Sequence, residues 1–278
     1  MKLYGVVGDP IAHSLSPLLH NYAFDELDIA AHYQPFHIKN DQLAAFVTAC
    51  RTLDIQGWNV TIPHKQTIVQ HLDRLDPLCE AIGAVNTVVK VREEYVGYNT
   101  DGVGFLKGLE EVRKVNTGDR VLIIGAGGAA KAILYTLHDA GIRQVDVYNR
   151  TAGNAQNLLQ ESPFSHSGEV LAYEEGIVDC TMYDLVVQTT SVGMYPHINV
   201  SPIEAHFREG SCVVDIIYTP FETKLLTAAR NQGCCVQNGI PMFVHQARLA
   251  FSLWTEADAP IEAWKRLITN QLGGTATC

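Results

Sequence analysis

Residues 121–130 read Val-Leu-Ile-Ile-Gly-Ala-Gly-Gly-Ala-Ala, and this decapeptide limits the fold of the chain more than any other segment. Its aliphatic run suits a strand buried on both faces, and the glycines then end it. Lys131-Ala-Ile-Leu-Tyr-Thr-Leu137 follows as a helix, and residues 144–148 form a second apolar strand. Strand, glycine turn, helix and strand make a parallel βαβ unit. Gly125, Gly127 and Ala130 fit the G-x-G-x-x-A form of a dinucleotide fingerprint. The first glycine permits the tight turn, the second lets the backbone approach a pyrophosphate, and small Ala130 lets helix and strand pack closely. The helix start adds N–H groups and the positive end of a dipole.

The end of the second strand indicates which dinucleotide. An NAD site places an acid there for the ribose 2′-hydroxyl. This chain has Asn149-Arg150-Thr151. The Arg150 guanidinium can fork onto a 2′-phosphate that an acid would repel, so the pattern favours NADP(H). The plain alternative is a surface Arg in a turn.

A second motif, Asn59-Val-Thr-Ile-Pro-His-Lys65, sets an amide, a hydroxyl and an ammonium within seven residues. Pro63 ends ladder pairing, so Lys65 should stand just past a strand end, where α/β proteins bind ligands. A Lys flanked by neutral hydrogen-bonding groups suits proton exchange with a hydroxylated substrate. The plain alternative is a turn carrying a solvated Lys.

The remaining pattern organises the chain. With 278 residues it is long enough for two domains. Strands are expected at 3–8 and 32–37, helices at 17–27 and 40–53, and two extended segments at 85–90 and 94–99 around a charged turn. A helix begins at Asp101. Residues 120–240 alternate strand and helix as a parallel, doubly wound sheet, with later strands at 185–188 and 212–217; the Ser-rich stretch 162–168 reads as a loop, and residues from Met242 onward are helical. No apolar run reaches the roughly 18 residues needed to cross a bilayer, and the start of the chain lacks a signal-peptide pattern. Seven scattered cysteines without a C-x-x-C pair fit a reducing cytoplasm. A formal net charge of −10 opposes nucleic-acid binding. No His/Cys/Asp cluster has zinc spacing, so no metal is expected.

The ordered set of motifs resembles the shikimate dehydrogenase family over nearly the whole chain. It comprises Gly8-Asp-Pro-Ile-Ala-His-Ser-Leu-Ser-Pro17, the 59–65 motif, Gly83-Ala-Val-Asn-Thr87, Gly97-Tyr-Asn-Thr-Asp-Gly102, the glycine loop, Asn149-Arg-Thr151, Thr190-Ser-Val-Gly-Met194, Asp215-Ile-Ile-Tyr-Thr-Pro220, Asn238-Gly-Ile-Pro-Met242 and His245-Gln-Ala247. The resemblance implies an α/β fold of two domains. These are a substrate and catalytic domain at 1–102, completed by the helical tail 241–278, and a Rossmann-like NADP domain at 103–240. It also implies NADPH-dependent reduction of 3-dehydroshikimate to shikimate in chorismate biosynthesis, in a cytoplasmic monomer or homodimer.

By the same resemblance Lys65 and Asp101 form the catalytic pair. Ser14 and Ser16 hold the substrate carboxylate, and Asn59, Thr61, Asn86, Tyr218 and Gln246 surround its hydroxyls. Cofactor contacts fall on Gly125, Ala126, Gly127, Gly128, Ala129, Asn149, Arg150, Thr151, Thr190, Ser191, Ile216, Gly239 and Met242. From the residues alone, Ser14 and Ser16 also read as caps of the helix at Pro17, and Asp101 as the cap of a helix beginning at Gly102. Family members that clamp the 2′-phosphate tightly often carry a second basic residue after Asn-Arg-Thr, whereas this chain has Ala152-Gly153-Asn154. A quinate/shikimate dehydrogenase of wider range remains an alternative. So does a non-catalytic NADP-binding sensor, although loss of Lys65 or Asp101 would have marked one and both are present.

Overall fold

The computed structural model describes residues 1–162, 168–171 and 176–273, so most of the Ser-rich stretch 162–168 lies outside the described residues. The chain divides into two compact units, one of Met1–Asp101 with Gln246–Ile268 and one built on Gly102–His245.

The first unit contains β1 (Lys2–Gly8), α1 (Ser16–Glu26), β2 (Ala31–His37), α2 (Leu43–Thr52), β3 (Gly57–Val60), β4 (Arg74–Leu75), α3 (Pro77–Ile82), β5 (Thr87–Val91) and β6 (Glu94–Tyr98). Its six-stranded sheet has the order β2-β1-β3-β5-β6-β4. β1 runs parallel to both β2 and β3, while β5 and β6 form an antiparallel hairpin around their charged turn. Register sets Tyr4 beside Tyr33 and Gly57, and Val6 beside Asn59, so these positions share one face. The opposite face buries Val7, Trp58, Val60 and Val88 against Leu43, Phe46 and Cys50 of α2. The helix expected over 40–53 is split: residues Asn40–Gln42 form a 3₁₀ turn ahead of α2. The Asn40 side chain bonds His64 Nδ1 at 2.9 Å, an alternative to helical pairing at that end.

Helix α4 (Asp101–Leu109) starts on the last residue of the first unit and opens the second from Gly102. The second unit continues through β7 (Arg120–Ile124), α5 (Gly128–Asp139), β8 (Gln144–Tyr148), α6 (Ala152–Gln160), β9 (Val170–Leu171), β10 (Ile177–Cys180), β11 (Leu185–Gln188), β12 (Glu204–Phe207), β13 (Cys212–Asp215), α7 (Lys224–Asn231) and β14 (Cys235–Gln237). The strand order β14-β13-β11-β7-β8-β9, all parallel, is that of a Rossmann sheet, with its direction of winding reversing between β7 and β11. β7, β11 and β13 are nearly all buried, which explains their unbroken apolar character. Strict alternation of strand and helix fails between β9 and β13. There, among the described residues, no helix forms, and β10 and β12 pair with each other as a separate parallel ribbon. Gly193, Pro196 and Pro202 punctuate this stretch and disfavour a helix.

Two final helices follow, α8 (Ile240–Thr255) and α9 (Ile261–Gln271), which supply Gln246–Ile268 to the first unit. Trp254 of α8 donates its indole N–H to Val88 O at 2.9 Å. A Cβ on Gly57 would lie 2.4 Å from that nitrogen, so only glycine admits the indole there. Phe251, Trp254 and Trp264 surround His20 of α1 with ring-centroid distances of 5.2–6.1 Å. Among the described residues no helix is long and apolar enough to cross a membrane.

Candidate active site

Lys65 stands five residues beyond the end of β3, and its position is fixed from several sides. The fully buried His64 donates through Nε2 to Ile38 O at 2.6 Å. Lys65 O accepts from Val85 N at 2.8 Å. Lys65 Nζ then reaches Asp101 Oδ2 at 2.6 Å, with side-chain exposures of 20% and 6%. The other carboxylate oxygen, Oδ1, accepts from Asn86 Nδ2 at 2.8 Å. Both Asp101 oxygens are therefore engaged, as a buried charge requires. Lys65 has committed one of its three protons to Asp101.

Asn86 organises the surrounding polar groups. Its Nδ2 also donates to Thr100 Oγ1 at 2.9 Å and reaches Gln246 Oε1 at 3.4 Å. Its Oδ1 accepts from Thr100 N at 2.8 Å and from Thr87 Oγ1 at 3.0 Å. Asn59 joins through Nδ2, which donates to Asn86 O at 3.2 Å and Thr87 Oγ1 at 3.1 Å. Thr61 follows β3 directly, and its amide donates to Val7 O at 3.0 Å. Lys65, Asp101, Asn86, Asn59 and Gln246 thus form one connected group within the first unit.

The capping expectations are corrected. Ser16 is already helical, Leu15 occupies the cap position, and no side chain caps α1. Ser14 Oγ instead accepts Ser16 N at 3.3 Å, which leaves the Ser16 hydroxyl for other contacts. Asp101 does not cap α4 either. Asn99 Oδ1 takes the Asp101 amide at 3.0 Å, while the Asp101 carboxylate serves Lys65 and Asn86.

In the second unit the glycine loop lies at the end of β7, next to the point where the winding reverses. Gly125 has φ +112°, and a Cβ there would meet Thr189 Oγ1 at 2.5 Å. Gly127 is extended, and a Cβ there would meet nothing within 4 Å. That open approach to bare backbone, followed by the Gly128 and Ala129 amides of the first turn of α5, has the form of a phosphate cradle. Ala126 and Ala130 pack on the core of β7, β8 and β11. Asn149 Nδ2 donates to Thr151 O at 2.9 Å, shaping the turn that leaves Arg150 exposed after β8.

Two residues that sequence reasoning passed over shape the neighbouring loops. Gln188, the buried last residue of β11, accepts Thr190 N through Oε1 at 2.5 Å and donates through Nε2 to Thr190 O and Val192 O at 3.0 and 3.1 Å. It thereby brackets the turn that carries Thr190 and Ser191. Asp215, the buried last residue of β13, accepts Ile217 N at 3.0 Å and the Thr223 hydroxyl at 2.7 Å. It thereby fixes the segment bearing Ile216 and Tyr218. Burial pushes the Asp215 carboxyl up to about 6. The available signal was the same in both strands, a polar residue closing an otherwise apolar run. Tyr218 stacks on Phe243 with centroids 4.8 Å apart, and burial raises its phenol to about 12. Gly239 N donates to Ile217 O at 2.9 Å, and a Cβ on Gly239 would lie 2.0 Å from Ile216 O. Met242 packs against the apolar core of the second unit.

Comparison with known proteins agrees with both halves of this arrangement. Residues 6–88 match the shikimate dehydrogenase substrate binding domain, residues 110–217 match shikimate / quinate 5-dehydrogenase, and residues 239–268 match the shikimate 5′-dehydrogenase C-terminal domain. A Bacillus cereus NADP⁺-dependent shikimate dehydrogenase is 45% identical over 275 residues, 98% of this chain and 99% of that protein. A crystal structure of a shikimate dehydrogenase in complex with NADP⁺ aligns with a TM-score of 0.91 at 35% identity, covering 98% of this chain and 96% of that one. The Thermus thermophilus shikimate 5-dehydrogenase, solved with NADP(H) and shikimate, aligns with a TM-score of 0.87 at 33% identity, covering 97% and 99%. Identity and coverage of this order, along a chain whose Lys65 and glycine loop fall within the matched segments and whose Asp101 lies between them, mean that the chain belongs to the shikimate dehydrogenase family.

Proposed function

We propose that this chain catalyses the reversible NADP(H)-dependent reduction of 3-dehydroshikimate to shikimate, a step of chorismate and aromatic amino-acid biosynthesis. The observation that carries the reading is the Lys65–Asp101 pair at 2.6 Å, locked by Asn86 in a ring of neutral hydrogen-bonding groups. Among the described residues Lys65 keeps two protons free, whereas both Asp101 oxygens are engaged. Lys65 is accordingly the group that gives a proton to the alkoxide formed on reduction and takes it back on oxidation. Asp101 holds the ammonium in place. Asn59, Thr61, Asn86 and Gln246 bind the ring hydroxyls, with Tyr218 as a further contact, and Ser14 and Ser16 bind the carboxylate.

The residues of the second unit fit a nicotinamide dinucleotide, because Gly127 leaves open backbone where its pyrophosphate would lie. NADPH supplies the hydride. Arg150 pairs with the 2′-phosphate, Asn149 and Thr151 shape its turn, and Thr190, Ser191, Ile216, Gly239 and Met242 line the nicotinamide end. The two domains of this reading are 1–102 with 241–278, and 103–240. Cysteines 50, 79, 180, 212, 234 and 235 are all free, which suits a reducing cytoplasm, where the enzyme acts as a monomer or homodimer.

Absorbance at the nicotinamide band, with shikimate or quinate and NADP or NAD, tests the reading directly. Shikimate with NADP should give the highest kcat/KM. Lys65→Ala should lower turnover by about 10²–10⁴-fold, the span for losing a general acid or base, with unchanged circular dichroism. Near-wild-type turnover in that variant would reject Lys65 as the proton group.

A further inference from the structure

Tyr33 is a buried tyrosine of β2 that none of the roles above uses, and its surroundings are unusually complete. Its ring is 1% exposed and lies 4.4 Å from the ring of His20, stacked at 20°. Its backbone is clamped at both polar atoms by one side chain: Asn21 Nδ2 donates to Tyr33 O, and Tyr33 N donates to Asn21 Oδ1, each at 2.8 Å. Its hydroxyl donates to Asn59 Oδ1 at 2.7 Å. Tyr33 therefore bonds directly to a residue assigned to a ring hydroxyl of the substrate.

The bonds around Asn59 fix which way its amide is turned. Asn86 O is a carbonyl and can only accept, so the Asn59 atom facing it at 3.2 Å must be the amino nitrogen. That nitrogen spends its other proton on Thr87 Oγ1 at 3.1 Å. Both N–H groups are consumed inside the protein. What Asn59 still offers a ligand is a lone pair of Oδ1, whose other lone pair takes the Tyr33 hydroxyl. Asn59 can accept from a substrate but has nothing left to donate.

We propose that Tyr33 is a positioning and specificity residue: it holds the Asn59 amide oxygen so that this site takes a hydrogen-bond-donating ring hydroxyl and discriminates against the same ring lacking it. The inference rests on the functional reading above, in which Asn59 meets the substrate. Burial raises the Tyr33 phenol well above its usual range, so it remains a donor at every working pH. Without it, the Asn59 oxygen would lose the hydroxyl that occupies one lone pair and directs the other toward the ligand, while Asn86 O and Thr87 Oγ1 would still hold the amide nitrogen.

The test is steady-state kinetics of wild type, Tyr33→Phe and Asn59→Ala with shikimate and with shikimate analogues each lacking one ring hydroxyl. Tyr33→Phe keeps the stacked ring and removes only the oxygen. Losing one buried hydrogen bond at a recognition site should raise the KM for shikimate about 5- to 30-fold and leave the KM for NADP within about twofold. Asn59→Ala identifies the hydroxyl concerned as the one whose absence no longer carries a penalty. Tyr33→Phe should shrink the penalty for that same analogue and for no other. An unchanged KM for shikimate in Tyr33→Phe, or penalties that stay equal to those of wild type for every analogue, would overturn the proposal. A wild-type protein inert toward shikimate would overturn the functional reading, and this inference with it; an active wild type beside an indifferent Tyr33→Phe overturns this inference alone.

Discussion

Replacing His20 by phenylalanine should flatten the acid limb of the stability profile. His20 is fully buried, and among the described residues neither ring nitrogen meets a partner at hydrogen-bond geometry. Stacking on Tyr33 and enclosure by Phe251, Trp254 and Trp264 leave no room for a hydrated imidazolium. Burial lowers its pKa from the ordinary 6.5 to about 3, and nearby Asn59 offsets only a little of that. Such a depression corresponds to roughly 5 kcal/mol between the two protonation states. The sign follows from linkage. Between pH 3 and 6.5 the unfolded chain takes up the proton and the folded one does not, so stability is complete above pH 6.5 and falls as the medium is acidified, by about 1.4 kcal/mol per unit. Urea unfolding of wild type and His20→Phe from about pH 7.5 to 4.5 isolates the effect, because the carboxylates contribute equally to both. At about pH 4.5 the wild type should have lost roughly 2–3 kcal/mol more than the variant. Parallel profiles would refute the claim that His20 must stay neutral to remain folded.

Arg150→Ala should remove most of the preference for NADP, measured as the ratio of kcat/KM with NADP to that with NAD, and Asn154→Arg should increase it; an unchanged ratio in Arg150→Ala would mean that the phosphate is held elsewhere, for example by Thr151 and backbone amides. Asp215→Asn tests the opposite titration. The folded-state pKa of Asp215 is raised to about 6, so the folded state holds that proton more tightly and stability falls as pH rises from about 4 to 6. Removing the carboxylate should abolish that decline, a difference of roughly 3 kcal/mol by about pH 7, and equal declines in both proteins would refute it.

The parts of the site that could be read in the sequence are those whose chemistry demands an unusual residue at a fixed local offset. Gly125 must carry a positive φ, Gly127 must leave its backbone bare, and Lys65 must follow the strand-ending Pro63. Each of these is settled within a short local window. Tyr33 and His20 were not legible in this way. One lies in a strand and the other in a helix whose apolar spacing explains them as ordinary core. Their meaning depends on β1 lying between β2 and β3, so that Tyr33 reaches Asn59 across 26 positions of sequence. The capping of α4 misread for a related reason. Asp101 and Asn99 are both good capping residues, and only the presence of Lys65 and Asn86 decides which carries the cap. The strand–helix alternation broke where loops needed Gly and Pro more than the sheet needed a crossover helix.

The indole of Trp254 on Val88 O has a consequence for how the chain is made. The partners of Trp254 stand 166 and 250 positions earlier in the sequence, at Val88 and Tyr4. At about 5–20 residues per second, a ribosome needs roughly ten to thirty seconds to travel from Val88 to Trp254. Throughout that interval the face bearing Tyr4 and Tyr33 has emerged while its aromatic cover is still untranslated. The second unit draws mainly on the continuous stretch Gly102–His245, with only a short later segment from Thr269, and all the strands of its parallel sheet have appeared by Gln237. Synthesis therefore lets the sheet translated second form before the first is covered, and the opening hundred or so residues are the nascent surface that a chaperone would have to shield.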